Sequence, residues 1–75
     1  MSIQVEIGNH IKKIRGKKGL TQLQLAERSE LNRTFINHVE NGRRNLSVQS
    51  LEKILKGLEV PFSQFFRKKA FESHD

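Results

Sequence analysis

Apolar residues recur at intervals of three and four along almost the whole chain, and no stretch alternates with a period of two. Ile3, Ile7, Ile11 and Ile14 draw one stripe through residues 3–17, the spacing of one face of an α-helix. Lys12, Lys13, Lys17 and Lys18 lie off that stripe. Gly19 follows and can take the left-handed backbone that ends a helix. Thr21 offers an N-cap oxygen, so a second helix is expected over 22–29, with Leu25 and Ala26 inward. Asn32 offers another cap after a break at Ser29–Glu30–Leu31. A third helix is expected over 33–41, with Ile36 and Val39 on its buried side, and Asn41–Gly42 stops it. Ser47 caps a fourth over 48–58, whose apolar face is Val48, Leu51, Ile54, Leu55 and Leu58. Pro61 punctuates. A fifth helix is expected over 62–71, with Phe62, Phe65 and Phe66 on one side. The expected fold class is therefore all-α: a compact five-helix domain over 1–75, with 72–75 a frayed polar tail.

Such a chain has few means of stabilisation. It has 75 residues and no cysteine, and a domain of this size buries only about 60% of the surface its unfolded form exposes. Small folds below about 70–80 residues usually rely on disulfides, a metal or a partner. His10, His38 and His74 are scattered, so neither a metal nor a cofactor is expected. Tight helix packing, a second copy of the chain, or both remain. No apolar run approaches the ~20 residues that span a membrane, and the first ten residues lack a leader's basic start and apolar block. A soluble cytoplasmic protein with no membrane partner is expected. No serine–histidine–acid spacing, paired inward carboxylates or phosphate-cradling glycine loop is present, so an enzyme is not expected.

The formal net charge is +6, and its distribution is uneven. Residues 1–20 carry +4, residues 21–42 carry −1, residues 43–60 carry +2 and the last fifteen carry +1. A basic surplus suggests a polyanionic partner. Here it flanks a middle segment that is itself slightly acidic.

That middle segment, Gln22 to Asn41, is two helices joined by a three- or four-residue turn. Ala26 is small where the helices should cross. Leu25, Leu31, Ile36 and Val39 are apolar along the seam, while Arg33, Thr34, Asn37 and His38 point away from it. These twenty residues resemble the helix-turn-helix of the phage-repressor-like, xenobiotic-response-element type of DNA-binding family. Gln22, Ala26, Leu31, Ile36 and Val39 stand where that pattern has its starting glutamine, its small residue and its apolar positions. The lead-in Ile11–Arg15 and Lys18–Gln22, and the exit Glu40–Asn45, agree as well, so the likeness covers residues 5–66. Within the family, Asn32–Ile36, Arg44–Asn45 and Gly57–Val60 are similar to segments of restriction–modification controller proteins. Small phage repressors share much of this. An antitoxin-like interaction module with DNA affinity is a further alternative.

The resemblance implies a sequence-specific regulator of transcription that binds double-stranded DNA as a homodimer on a near-palindromic operator. RNA polymerase is an implied partner, and the bacterial nucleoid an implied place of work. A recognition helix lies in the major groove with its first residues toward base edges. That assigns base reading to Arg33, Thr34, Phe35, Asn37 and His38. Arg33 can pair bidentately with guanine, or form a surface ion pair with Glu30. Phe35 is expected to be a partly buried ring that also meets a thymine methyl. Phosphate contacts fall to Gln22, Asn32, Arg43, Arg44 and Asn45. Leu51, Leu55, Phe62, Phe65 and Phe66 are the implied dimer surface; each is also a candidate for the chain's own core, and the sequence does not divide the two. The pattern departs in two places. Glu30 occupies a turn position usually held by glycine, at a cost of about 1 kcal/mol if its backbone is left-handed. Leu23 is apolar where a polar residue is usual, which reads as packing against helix one or the loop, with a partner contact as the alternative.

Overall fold

Four helices begin at a residue whose side chain caps them, and the same four end in one way. A computed structural model describes residues 2–67. It comprises α1 (Ile3–Lys17), α2 (Gln22–Ser29), α3 (Arg33–Glu40), α4 (Val48–Leu58) and α5 (Phe62–Phe65). Ser2 caps α1, accepting from the Val5 N–H at 3.2 Å. Thr21 and Gln24 form a reciprocal capping box on α2, with bonds of 3.0 and 2.8 Å. Asn32 Oδ1 accepts from the Thr34 N–H at 2.7 Å, and Ser47 Oγ from the Ser50 N–H at 3.0 Å. Each such cap is worth about 1 kcal/mol.

At the other ends stand four left-handed residues: Gly19 (φ 70°), Glu30 (φ 56°), Gly42 (φ 69°) and Glu59 (φ 60°). After each, the next residue's N–H reaches five residues back: Leu20 to Arg15, Leu31 to Ala26, Arg43 to His38 and Val60 to Leu55, at 2.9–3.1 Å. This closure satisfies carbonyls that the helix end leaves open. The expected strain at Glu30 is present, and Glu59 repeats it.

The core collects one face from every helix: Ile11, Leu25, Ala26, Ile36, Val39, Leu51, Ile54, Leu55, Leu58, Val60 and Phe65. Small residues let the layers close. A methyl group built on Gly8 would lie 2.1 Å from Val39 O, so α1 crosses α3 backbone to backbone. One built on Gly57 would lie 2.6 Å from Ser29 Oγ, which brings α4 close to α2. Ala26 is buried, as its size suggested.

Three expectations need correction. Val48 is 72% exposed: as the first residue of α4 it precedes the point where that helix meets the core. Asn41 follows α3 as its C-cap rather than belonging to it. Most notably, α5 is four residues long, because the chain leaves the helix in a turn at Phe66 and Arg67. The rest of the expected fifth helix, 68–71, and the expected tail, 72–75, lie outside the described residues.

Candidate nucleic-acid interface

Helix α3 presents its N-terminal turn to solvent. Asn32, Arg33 and Thr34 are exposed, and Phe35, Asn37 and His38 are half-buried. The turn is held from beneath by Ile36 and Val39, which are buried in the core where α3 packs on α1 and α2. Arg33 makes no ion pair with Glu30 among the described residues. Its guanidinium is therefore available to a ligand. Phe35 packs part of its ring against the core. Arg44 crosses its other side, with the guanidinium carbon 5.2 Å from the ring centroid, a cation–π contact worth about 0.5–1 kcal/mol at an exposed site. That contact ties the exit loop to the recognition helix. Gln4 of α1 donates from Nε2 to Asn45 Oδ1 and ties the next residue of the same loop to α1. Arg43 and Arg44 are exposed at the C-terminal side of α3.

Beneath this surface lies an ionic group that local sequence spacing did not reveal. Glu40 is 3% exposed, on the face of α3 that also carries Ile36. Arg15 of α1 meets it with two bonds, Nε to Oε2 at 2.6 Å and Nη2 to Oε1 at 3.0 Å. A third guanidinium bond, from Nη1, goes to Leu20 O at 2.8 Å. Bidentate charge-assisted bonds of this kind are among the strongest in proteins. The bonds to Glu40 push Arg15 above its ordinary pKa; burial opposes this, and the charge of Glu40 adds to it. Gln22 Nε2 donates to the same Glu40 Oε1 at 3.0 Å, and Asn37 Nδ2 reaches Gln22 Oε1 at 3.4 Å. A buried carboxylate is thus linked through two amides to the exposed face of α3. One signal was available in the sequence. Glu40 stands four residues after Ile36 and next to Val39, which places an acid on a buried stripe. Its partner, 25 residues away, has no such signal.

The structure brings some of the expected base-reading and phosphate-binding residues together in pairs: Asn37 meets Gln22, Asn32 caps the turn that carries Thr34, and Arg44 crosses Phe35. The five apolar dimer candidates divide. Leu51, Leu55 and Phe65 are buried within the chain's own core. Phe62 is 39% exposed and Phe66 is half-buried, with their rings stacked 6.4 Å apart. Phe62 also borders a shallow hollow formed by α4 residues and Pro61. Of these five, Phe62 and part of Phe66 are left for a partner. Leu23 is 54% exposed, so more than half of it faces solvent rather than α1 or the loop. It follows Gln22 in the first turn of α2, on the outer face. No helix among the described residues is long and apolar enough to cross a membrane.

Comparison with known proteins agrees with this geometry. The helix-turn-helix family matches residues 11–65. The chain is 42% identical over 65 residues to the control protein C.MunI of a Mycoplasma species, covering 85% of this chain and 88% of that one. A crystal structure of a single-substitution variant of the restriction–modification controller protein C.Esp1396I superposes with a TM-score of 0.90 at 45% identity. It covers 100% of this chain and 98% of that one. The same controller as a tetramer in complex with its natural 35 base-pair operator gives a TM-score of 0.84 at 47% identity, covering 89% of this chain and 90% of that one.

Proposed function

Because the chain belongs to the helix-turn-helix family whose members include restriction–modification control proteins, we propose that it is a controller of this kind: a homodimeric transcription regulator that binds operator DNA. The observation that carries the proposal is the capped N-terminal turn of α3, with Arg33 and Thr34 exposed and arginines at its far end. A helix so placed can enter the major groove while its flanks meet phosphates.

Arg33 takes guanine O6 and N7 through its planar fork. Thr34 offers a hydroxyl and a methyl, Phe35 the free edge of its ring, and Asn37 and His38 reach the groove one turn further on. Gln22, Asn32, Arg43, Arg44 and Asn45 border that helix and meet the sugar–phosphate backbone. One such surface reads few base pairs. Two copies read half-sites about 34–36 Å apart, and Phe62 with Phe66 supplies the apolar contact between them. The chain acts by binding, not by catalysis. Its place is the bacterial cytoplasm, on the nucleoid, with RNA polymerase as the machinery it recruits or blocks.

A gel-shift titration of DNA upstream of its own gene, against random duplex at about 150 mM salt, tests this reading. Preference for the upstream sequence by about 10³-fold or more is expected. Equal affinity for both would refute it. A methyltransferase or endonuclease gene alongside separates the controller role from that of a phage-type repressor.

A further inference from the structure

Asn37 has two faces to offer a base, an amide N–H and a carbonyl oxygen, and which of them points into the groove depends on a residue that touches no DNA. We infer that Glu40 is a positioning residue that fixes the polarity of the Gln22–Asn37 amide chain, and thereby makes Asn37 select adenine over guanine. The inference rests on α3 being the reading helix, as proposed above.

The argument follows from what each group can donate. An ionised carboxylate only accepts hydrogen bonds. Glu40 is locked between α1 and α3 by the two bonds from Arg15, so Gln22 can face it only with Nε2. That leaves Gln22 Oε1 outward, where it accepts from Asn37 Nδ2. The amide of Asn37 therefore cannot turn over without losing its partner. One N–H of Asn37 is engaged, and the other remains free beside Oδ1, to which Asn41 Nδ2 makes a long contact of 3.4 Å. A single N–H beside a carbonyl matches adenine, whose major-groove edge presents N7 as acceptor and the N6 amino group as donor. Guanine presents two acceptors, N7 and O6, and would leave Oδ1 facing oxygen. If Glu40 were an amide, it could offer either a donor or an acceptor to Gln22. The chain would then run in either direction, and the two amide protons of Asn37 could face guanine.

The experiment uses the full chain and a library of operators varied at the base pair that loses its preference in Asn37→Ala. The readout is the adenine-to-guanine affinity ratio in wild type, Glu40→Gln and Gln22→Leu. Glu40→Gln leaves Arg15 poorly compensated and lowers stability. Gln22→Leu keeps the Arg15–Glu40 pair and removes the amide link, so it tests the inference with the buried ion pair intact. It also weakens all operators alike by removing a phosphate contact. In both variants the ratio is expected to fall fivefold or more, within the ~1–3 kcal/mol that a bidentate pair discriminates. A merely structural role would lower affinity for every operator and leave the ratio unchanged, and that result in Gln22→Leu overturns the inference. In the free protein, the Asn37 side-chain amide protons should exchange more slowly with solvent in wild type than in either variant. Equal exchange rates would also overturn it. A wild type with no base preference anywhere defeats the DNA-binding proposal itself, and with it the adenine assignment, whereas the exchange measurement still reports on the amide chain alone.

Discussion

Two glycines in α1 should respond to the same substitution with opposite signs. Alanine is the better helix former by about 1 kcal/mol in a helix interior, so propensity alone favours Gly8→Ala and Gly16→Ala equally. The tertiary surroundings differ. A methyl group on Gly16 meets nothing within 4 Å. On Gly8 it would lie 2.1 Å from Val39 O and 3.2 Å from Glu40 C and O. Carbon–oxygen contacts settle near 3.3–3.6 Å, so α1 and α3 would have to part by about 1 Å. A gap of that size forfeits a quarter to a half of each dispersion contact across the crossing, and overpacking of this kind costs about 1–3 kcal/mol. The struck oxygen also accepts from the Gly42 N–H at 3.0 Å, so the end of α3 is disturbed as well. Clash outweighs propensity, and the net loss for Gly8→Ala is about 2 kcal/mol. For a domain of this size that lowers Tm by roughly 8–16 °C. Gly16→Ala should gain about 0.5 kcal/mol, since it sits in the last turn. Urea unfolding at one matched protein concentration is the assay, because association shifts apparent stability. A Gly8→Ala midpoint at or above wild type would falsify the backbone-to-backbone crossing.

Other consequences can be checked singly. Arg33→Ala should cost about 1–3 kcal/mol on the preferred operator and relax its sequence preference, whereas Arg43→Ala should weaken all duplexes alike and flatten the salt dependence by about one phosphate; equal behaviour of the two in salt-titrated gel shifts would contradict their assigned roles. Glu30→Gly should raise stability by about 0.5 kcal/mol, since relief of left-handed strain exceeds the entropy glycine adds to the unfolded chain. A lower urea midpoint would refute the strain. Phe62→Ser should shift sedimentation toward monomer with little change in secondary structure, while Phe65→Ala should lose about 3–5 kcal/mol because its ring is core. A Phe62→Ser protein that sediments as wild type would place the dimer contact elsewhere.

The sequence was most legible where structure is local. Thr21, Asn32 and Ser47 announce helix starts because capping is a bond between residues two or three apart. Gly19 and Gly42 announce helix ends because few side chains suit a positive φ. Even the strained Glu30 could be anticipated, from its place in a turn of known geometry. Legibility failed where a property belongs to two distant segments. Nothing near Gly8 indicates that the Val39 carbonyl will rest against it. Nothing near Arg15 says which of eight acidic residues it will meet. The phenylalanine spacing near the end does not fix the length of α5, for a related reason. Residues at i, i+3 and i+4 suit a long helix, yet one turn is enough for Phe65 and Phe66 to reach the core and for Phe62 to stack on Phe66. Leu23 is apolar by residue type, and neither that nor its spacing revealed that α2 turns it outward. The candidate base-reading residues were legible as a group because all but Phe35 are the polar remainder of a helix whose apolar positions are already committed.

The Arg15–Glu40 pair bears on how far the recognition unit can be moved to other proteins. A helix-turn-helix invites transplantation, since its twenty residues are contiguous and its reading face is small. Yet the carboxylate at the end of α3 takes its counter-ion from a helix outside that stretch. A graft that begins at Thr21 would carry a buried acid into its host with no guanidinium to meet it, and breaking such a pair costs about 3–5 kcal/mol. The smallest portable unit therefore starts in α1. A host scaffold must either supply an arginine at the Arg15 position or replace Glu40 with an apolar residue, and so give up whatever that acid does for the residues above it.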